Sequence, residues 1–135
     1  MNVVAFAPVD ARLRVPLSAG LDDPALIVFR PGQHSAVVEG GVVRTERDLY
    51  AIVARAGQRL SLSIDDPEGN AAFALYEPGA SIRHGAYGIE IDGLPLTEGA
   101  GVDCWSGEAH RTGPYLVVVG AVRGNASYIL RACLN

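Results

Sequence analysis

The side chains that could do chemistry are few and dispersed. His34, His84 and His110 fall in three separate turns or loops, and each reads as a solvated loop residue and not as a catalyst. Ser106 lies in Cys-Trp-Ser-Gly, which does not match the G-x-S-x-G elbow and its strand-to-helix turn. Asp65, Asp66, Glu68 and Asn70 offer oxygens of the kind calcium takes. Their spacing is not that of an EF-hand loop, and acidic turns are ordinary at strand ends. No carboxylate pair is singled out for glycoside hydrolysis. No Gly-rich motif cradles phosphate, and His110-Arg111-Thr112-Gly113 is too short to make a basic patch. The expectation is no catalytic residue, no metal and no cofactor.

The two cysteines, Cys104 and Cys133, are a different case. In the last strand Tyr128, Leu130 and Ala132 are expected to face the core, which turns Cys133 outward. Trp105 facing the core would turn Cys104 outward as well. Two outward cysteines on neighbouring strands of one sheet could bridge, adding about 3 to 4 kcal/mol by loop entropy. Two unpaired thiols are the alternative, favoured in a reducing compartment. There is no CxxC and no His pair at ligand spacing, which argues against metal.

The elements that would position these groups are strands. In Asp48 to Ile64, Leu60, Leu62 and Ile64 alternate with Arg59, Ser61 and Ser63, the period-two mark of a strand with one dry face. Leu49 to Ala54 is apolar on both sides and reads as a strand covered on both faces. Ala56-Gly57 between them reads as a tight hairpin turn, Gly supplying positive φ. Further strands are expected at Ala25 to Phe29, Ser35 to Glu39 (ended by Gly40-Gly41), Ala71 to Tyr76, Asp103 to Glu108, Tyr115 to Val119 and Ser127 to Cys133. Arg30-Pro31-Gly32-Gln33, Asp65 to Asn70 and Arg123-Gly124-Asn125 are turns. Ala80 to Val102 reads as the longest irregular segment, strand-like only at Tyr87 to Ile91. The spacing predicts an all-β antiparallel sandwich or barrel of about eight or nine strands with no major helix, and the hairpin of one interior and one half-exposed strand sets the expectation of a sandwich.

Composition bounds the partners. The chain has 135 residues, enough for one domain with its own core. It is 49% hydrophobic, which excludes disorder, and its net charge of −4 argues against nucleic acid and anionic membrane surfaces. No apolar run approaches the roughly 20 residues of a membrane span. Residues 1–24 read as an N-terminal arm or edge strand, and 25–135 as the sandwich domain. MNVVAFAPVDARLRVP has no basic start, and Pro8 and Asp10 break its apolar run, so it is not a secretion signal. A cytoplasmic chain and a mature segment carrying an added Met are both consistent with it. Sandwich edges pair unless blocked, and the oligomeric state stays open.

The order FRPG, SAVVEG, DLYAIVARAGQRLSLSI, FALYEPG, CWSG, RTGPYLVVV, GNASYILR resembles the bacterial pre-peptidase C-terminal-like (PPC-like) domain family. Within it the likeness is strongest to the periplasmic inhibitors of goose-type (g-type) lysozyme. The resemblance covers most of Ala25 to Arg131, leaving Met1 to Pro24 and the Gly-rich Ala80 to Val102 outside it, and is carried by Tyr50, Gly57, Gln58, Phe73, Pro78, Gly79, Gly113, Tyr115 and Tyr128. It implies jelly-roll character, export to the periplasm or beyond, and no catalysis. It also implies a binding role, either as a lysozyme inhibitor acting by loop insertion or as a glycan- or protein-binding module without inhibitory activity. An exposed aromatic surface, such as Tyr87 with Tyr76, would favour the module. For the inhibitor, the resemblance transfers the partner-binding position to the loop before the last strand, here Arg123, Gly124 and Asn125.

Overall fold

The alternation at Leu60, Leu62 and Ile64 does what it predicts: all three side chains are buried between two layers of strands. The structure, a computed structural model, describes residues 24–43, 46–85, 88–99 and 101–135. Among these it contains ten strands and no helix: β1 (Ala25–Leu26), β2 (Ser35–Val43), β3 (Arg47–Ala54), β4 (Arg59–Asp65), β5 (Ala71–Tyr76), β6 (Ser81–Gly85), β7 (Gly88–Asp92), β8 (Cys104–Glu108), β9 (Gly113–Ala121) and β10 (Asn125–Leu134). One sheet has the order β1-β3-β9-β5, and the facing sheet β2-β10-β4-β8. Every pairing is antiparallel except β1 with β3. The fold is an all-β sandwich. Leu75, Val117 and Val119 of the first sheet meet Leu60 and Leu130 of the second with no surface left in water. Burial of such a side chain contributes about 1.5 to 3 kcal/mol.

The expected hairpin across Ala56-Gly57 does not form. β3 belongs to the first sheet and β4 to the second. Gly57 has the positive φ, 98°, that the turn needs. Gln58 closes the turn, its N–H donating to the Arg55 carbonyl at 3.0 Å and its Oε1 accepting from the Arg55 N–H at 2.7 Å. The turn then carries the chain across the sandwich instead of back along the same sheet. The rule is general here: β1 to β5 alternate between the two sheets, as do β8 to β10. Alternate burial is identical for a strand that pairs with its predecessor and one that faces it.

Several boundaries differ from expectation: β9 is longer at both ends, and β10 starts at Asn125, which pairs with Val43 and so leaves the expected Arg123-Gly124-Asn125 turn. β2 runs through Gly40 and Gly41, which pair with Tyr128 and Ser127, because the ladder with β10 supplies backbone bonds whatever the side chain. The first strand is two residues long and stops before Phe29. The Gly-rich segment holds a hairpin of its own, β6 with β7. Ile82, Ile89 and Ile91 of that hairpin pack over Leu49 and Leu116 on the outer face of the first sheet. That third layer is why β3 is apolar on both sides. The arm expected for residues 1–24 lies, Pro24 apart, outside the described residues.

Candidate functional site at the Arg123 end of the sandwich

Registers place six strand ends together. Arg47 opposes Gly120, Ala71 opposes Ala121, Asn125 opposes Val43, and Asp65 opposes Ile129. The starts of β3, β5 and β10 and the ends of β2, β4 and β9 therefore share one end. Val122, Arg123 and Gly124 link β9 to β10 there, crossing from one sheet to the other. So short a crossing needs a sharp reversal, and Gly124 provides it at φ 59°. Arg123 is exposed and has no ion pair among the described residues. Val122 beside it is 63% exposed, an apolar side chain held out into water.

The turn between β4 and β5 braces this loop. Both oxygens of Asp66 are occupied by backbone donors: Oδ1 accepts the Glu68 N–H at 3.1 Å, and Oδ2 accepts those of Asn70 and, at 2.8 Å, Ala71. Asn70 then reaches the loop twice. Its carbonyl accepts the Val122 N–H at 2.6 Å, and its Nδ2 donates to the Asn125 carbonyl at 3.5 Å. On the outer face of the second sheet, Glu39, Asp65 and Asp66 line an open hollow with Ser127 and Ile129. Arg131 answers one of these carboxylates, its Nε lying 3.4 Å from Asp65.

Behind the loop, Tyr128 of β10 donates its hydroxyl proton to Asp48 Oδ2 at 2.6 Å. The Tyr50 oxygen lies 2.7 Å from that of Tyr128. All three residues are buried. Burial, then the neighbouring Tyr50 and Asp48, push the Tyr128 phenol far above its ordinary value, so it stays a neutral donor. The cluster ties β3 of one sheet to β10 of the other and holds the strand that leaves the loop.

The sequence-predicted residues fare unequally. Arg123, Gly124 and Asn125 lie together at one exposed end. Cys104 and Cys133 both face outward, as expected, but they are free thiols and not a bridge. β4 lies between their strands, with Ser63 opposite Cys104 and Ser61 opposite Cys133. Two strand spacings plus that stagger separate the Cα atoms by roughly 12 Å, whereas a disulfide spans at most about 7 Å. His34 and His110 are exposed and apart in the fold, and the side chain of His84 is outside the description. Tyr76 is half-buried against the β6–β7 hairpin, and Tyr87 lies outside the described residues. Sequence reasoning missed Asp66 and Asn70 as the loop's brace. The turn Asp-Pro-Glu-Gly-Asn was visible, but which loop it would touch depends on strand order. Val122 was also missed, because an apolar residue after an apolar strand reads as its continuation.

No family model matches the sequence, and no curated protein does. Solved structures do. The chain is similar to Aeromonas hydrophila PliG, a periplasmic lysozyme inhibitor of g-type lysozyme, with a TM-score of 0.65 and 23% identity over 82% of this chain and 94% of that one. It is similar to Salmonella Typhimurium PliG, described in the same terms, with a TM-score of 0.59 and 22% identity over 84% and 98%. A mutant of the Escherichia coli PliG follows at 0.54 and 23%, over 82% and 96%. The chain has the fold of these inhibitors.

Proposed function

We propose that this chain is a non-catalytic exported protein, periplasmic or secreted, that inhibits g-type lysozyme by inserting the Val122–Gly124 loop into the enzyme's cleft. The observation that carries the reading is a cation and an apolar side chain, Arg123 and Val122, presented together on a short loop braced from the neighbouring turn. An arginine offers five donors in a planar fork, suited to the carboxylates of a glycan hydrolase groove. A braced loop loses little freedom on binding, so more of its contact energy appears as affinity. The shared fold with three inhibitors of g-type lysozyme supports the choice of partner.

Titration calorimetry of the purified chain against goose-type lysozyme tests the reading. Binding with Kd of about 1 μM or tighter, near −8 kcal/mol, is expected. No binding heat with both proteins well above that concentration contradicts it.

A further inference from the structure

We infer that Asp66 and Asn70 are positioning residues for the Arg123 loop, acting as a two-step brace from the β4–β5 turn. The first step is Asp66. Its carboxylate accepts three backbone N–H groups, those of Glu68, Asn70 and Ala71, and so fixes the path of the turn. The second step is Asn70, whose carbonyl takes the Val122 N–H at 2.6 Å and whose side chain reaches the Asn125 carbonyl at 3.5 Å. These two contacts fall on either side of Arg123. The loop holds its shape because both of its flanks are tied to a turn that is itself tied to one carboxylate.

A loop linking two sheets by three residues has no ladder of its own between β9 and β10. Its backbone donors must therefore be satisfied from outside, or by water at the cost of order. The place a Cβ would occupy at Gly124 is open space, with nothing within 4 Å. Asn70 supplies what the loop cannot supply for itself. The inference rests on the lysozyme reading only for its consequence in binding, because the brace is a property of the free chain.

Amide hydrogen exchange on the full chain, with lysozyme titration alongside, separates the two. In Asp66→Ala the Val122 amide is expected to exchange about tenfold faster, while that of Val117, in the centre of β9, stays within about twofold of wild type. Affinity for goose-type lysozyme is expected to fall by about tenfold as well. Asp66→Asn keeps one oxygen acceptor and is expected to recover most of both losses. Asn70→Ala, which leaves the Asp66 contacts in place, is expected to speed Val122 exchange by about threefold, and it carries the test if Asp66→Ala does not fold. Unchanged Val122 exchange in these variants, or an equal rise at Val117, overturns the brace. Faster Val122 exchange in a series where even the wild type binds no lysozyme leaves the brace standing and removes the lysozyme reading.

Discussion

The hydroxyl oxygens of Tyr50 and Tyr128 meet 2.7 Å apart in the core, one side chain from each sheet. Tyr128 gives its single proton to Asp48, so the bond between the two tyrosines is donated by Tyr50. The order of donation ranks the consequences of removing each hydroxyl. Tyr128→Phe loses a bond to a carboxylate and the acceptor for Tyr50, and is expected to cost about 2 to 4 kcal/mol. Tyr50→Phe loses the neutral bond to Tyr128, expected to cost about 1 kcal/mol. Urea midpoints of the two variants check the order, and equal losses would contradict it.

The same cluster sets a pH dependence. Tyr128 holds its proton more tightly folded than unfolded, its phenol being pushed up by burial and by its partners. The unfolded chain releases that proton near the ordinary tyrosine value of about 10. Below it the stabilisation is complete, and above it the unfolded state is progressively favoured. Stability is therefore expected to fall above pH 10, with Tyr128 contributing about 1.4 kcal/mol per pH unit. In Tyr128→Phe that contribution is gone, so the gap between the two stability curves should narrow as pH rises from 10 to 11. A constant gap would contradict the account.

Gly107 leaves room for the ring of Trp105. A Cβ at Gly107 would stand 2.8 Å from the Trp105 indole carbons. Gly107→Ala is expected to displace the ring from its partly buried position at the cost of about 1 to 3 kcal/mol. Trp105 is the chain's one tryptophan, so its fluorescence reports directly. A red shift with reduced stability is expected. An unchanged spectrum would mean the ring does not sit over Gly107.

Much of the sandwich was legible from residue pattern, and the reason is local. Leu60, Leu62 and Ile64 alternate because one face is dry, and that requirement does not depend on which strand lies alongside. The pairing of strands was not legible. Gly57 has a positive φ whether its turn returns to the same sheet or crosses to the other, so the hairpin expectation failed while its turn residue held. The β6–β7 hairpin was half-hidden for another reason. Gly85 and Gly88 break the apolar rhythm, and its inward side is carried by three isoleucines, Ile82, Ile89 and Ile91. At the candidate site Arg123 was legible as a loop residue. Its brace was not, because Asn70 and Val122 are far apart in the chain and meet only once β5 and β9 pair.

The cysteines give a prediction independent of function. With β4 between their strands, Cys104 and Cys133 are expected to react with a thiol reagent as two free thiols in the folded, non-reduced protein. Changing both to Ser is expected to alter stability by no more than about 0.5 kcal/mol. Loss of both thiols in a monomer on mild oxidation, with a rise in stability, would contradict the strand order.

The most direct test of the central claim is lysis of a bacterial cell-wall suspension by goose-type lysozyme, followed with and without the purified chain. Slower lysis at micromolar protein is predicted. Arg123→Ala is predicted to relieve the inhibition by about 2 kcal/mol or more, roughly thirtyfold in the concentration required, with its urea midpoint unchanged. Lysis that proceeds at the same rate with the wild-type chain present would contradict the proposed function.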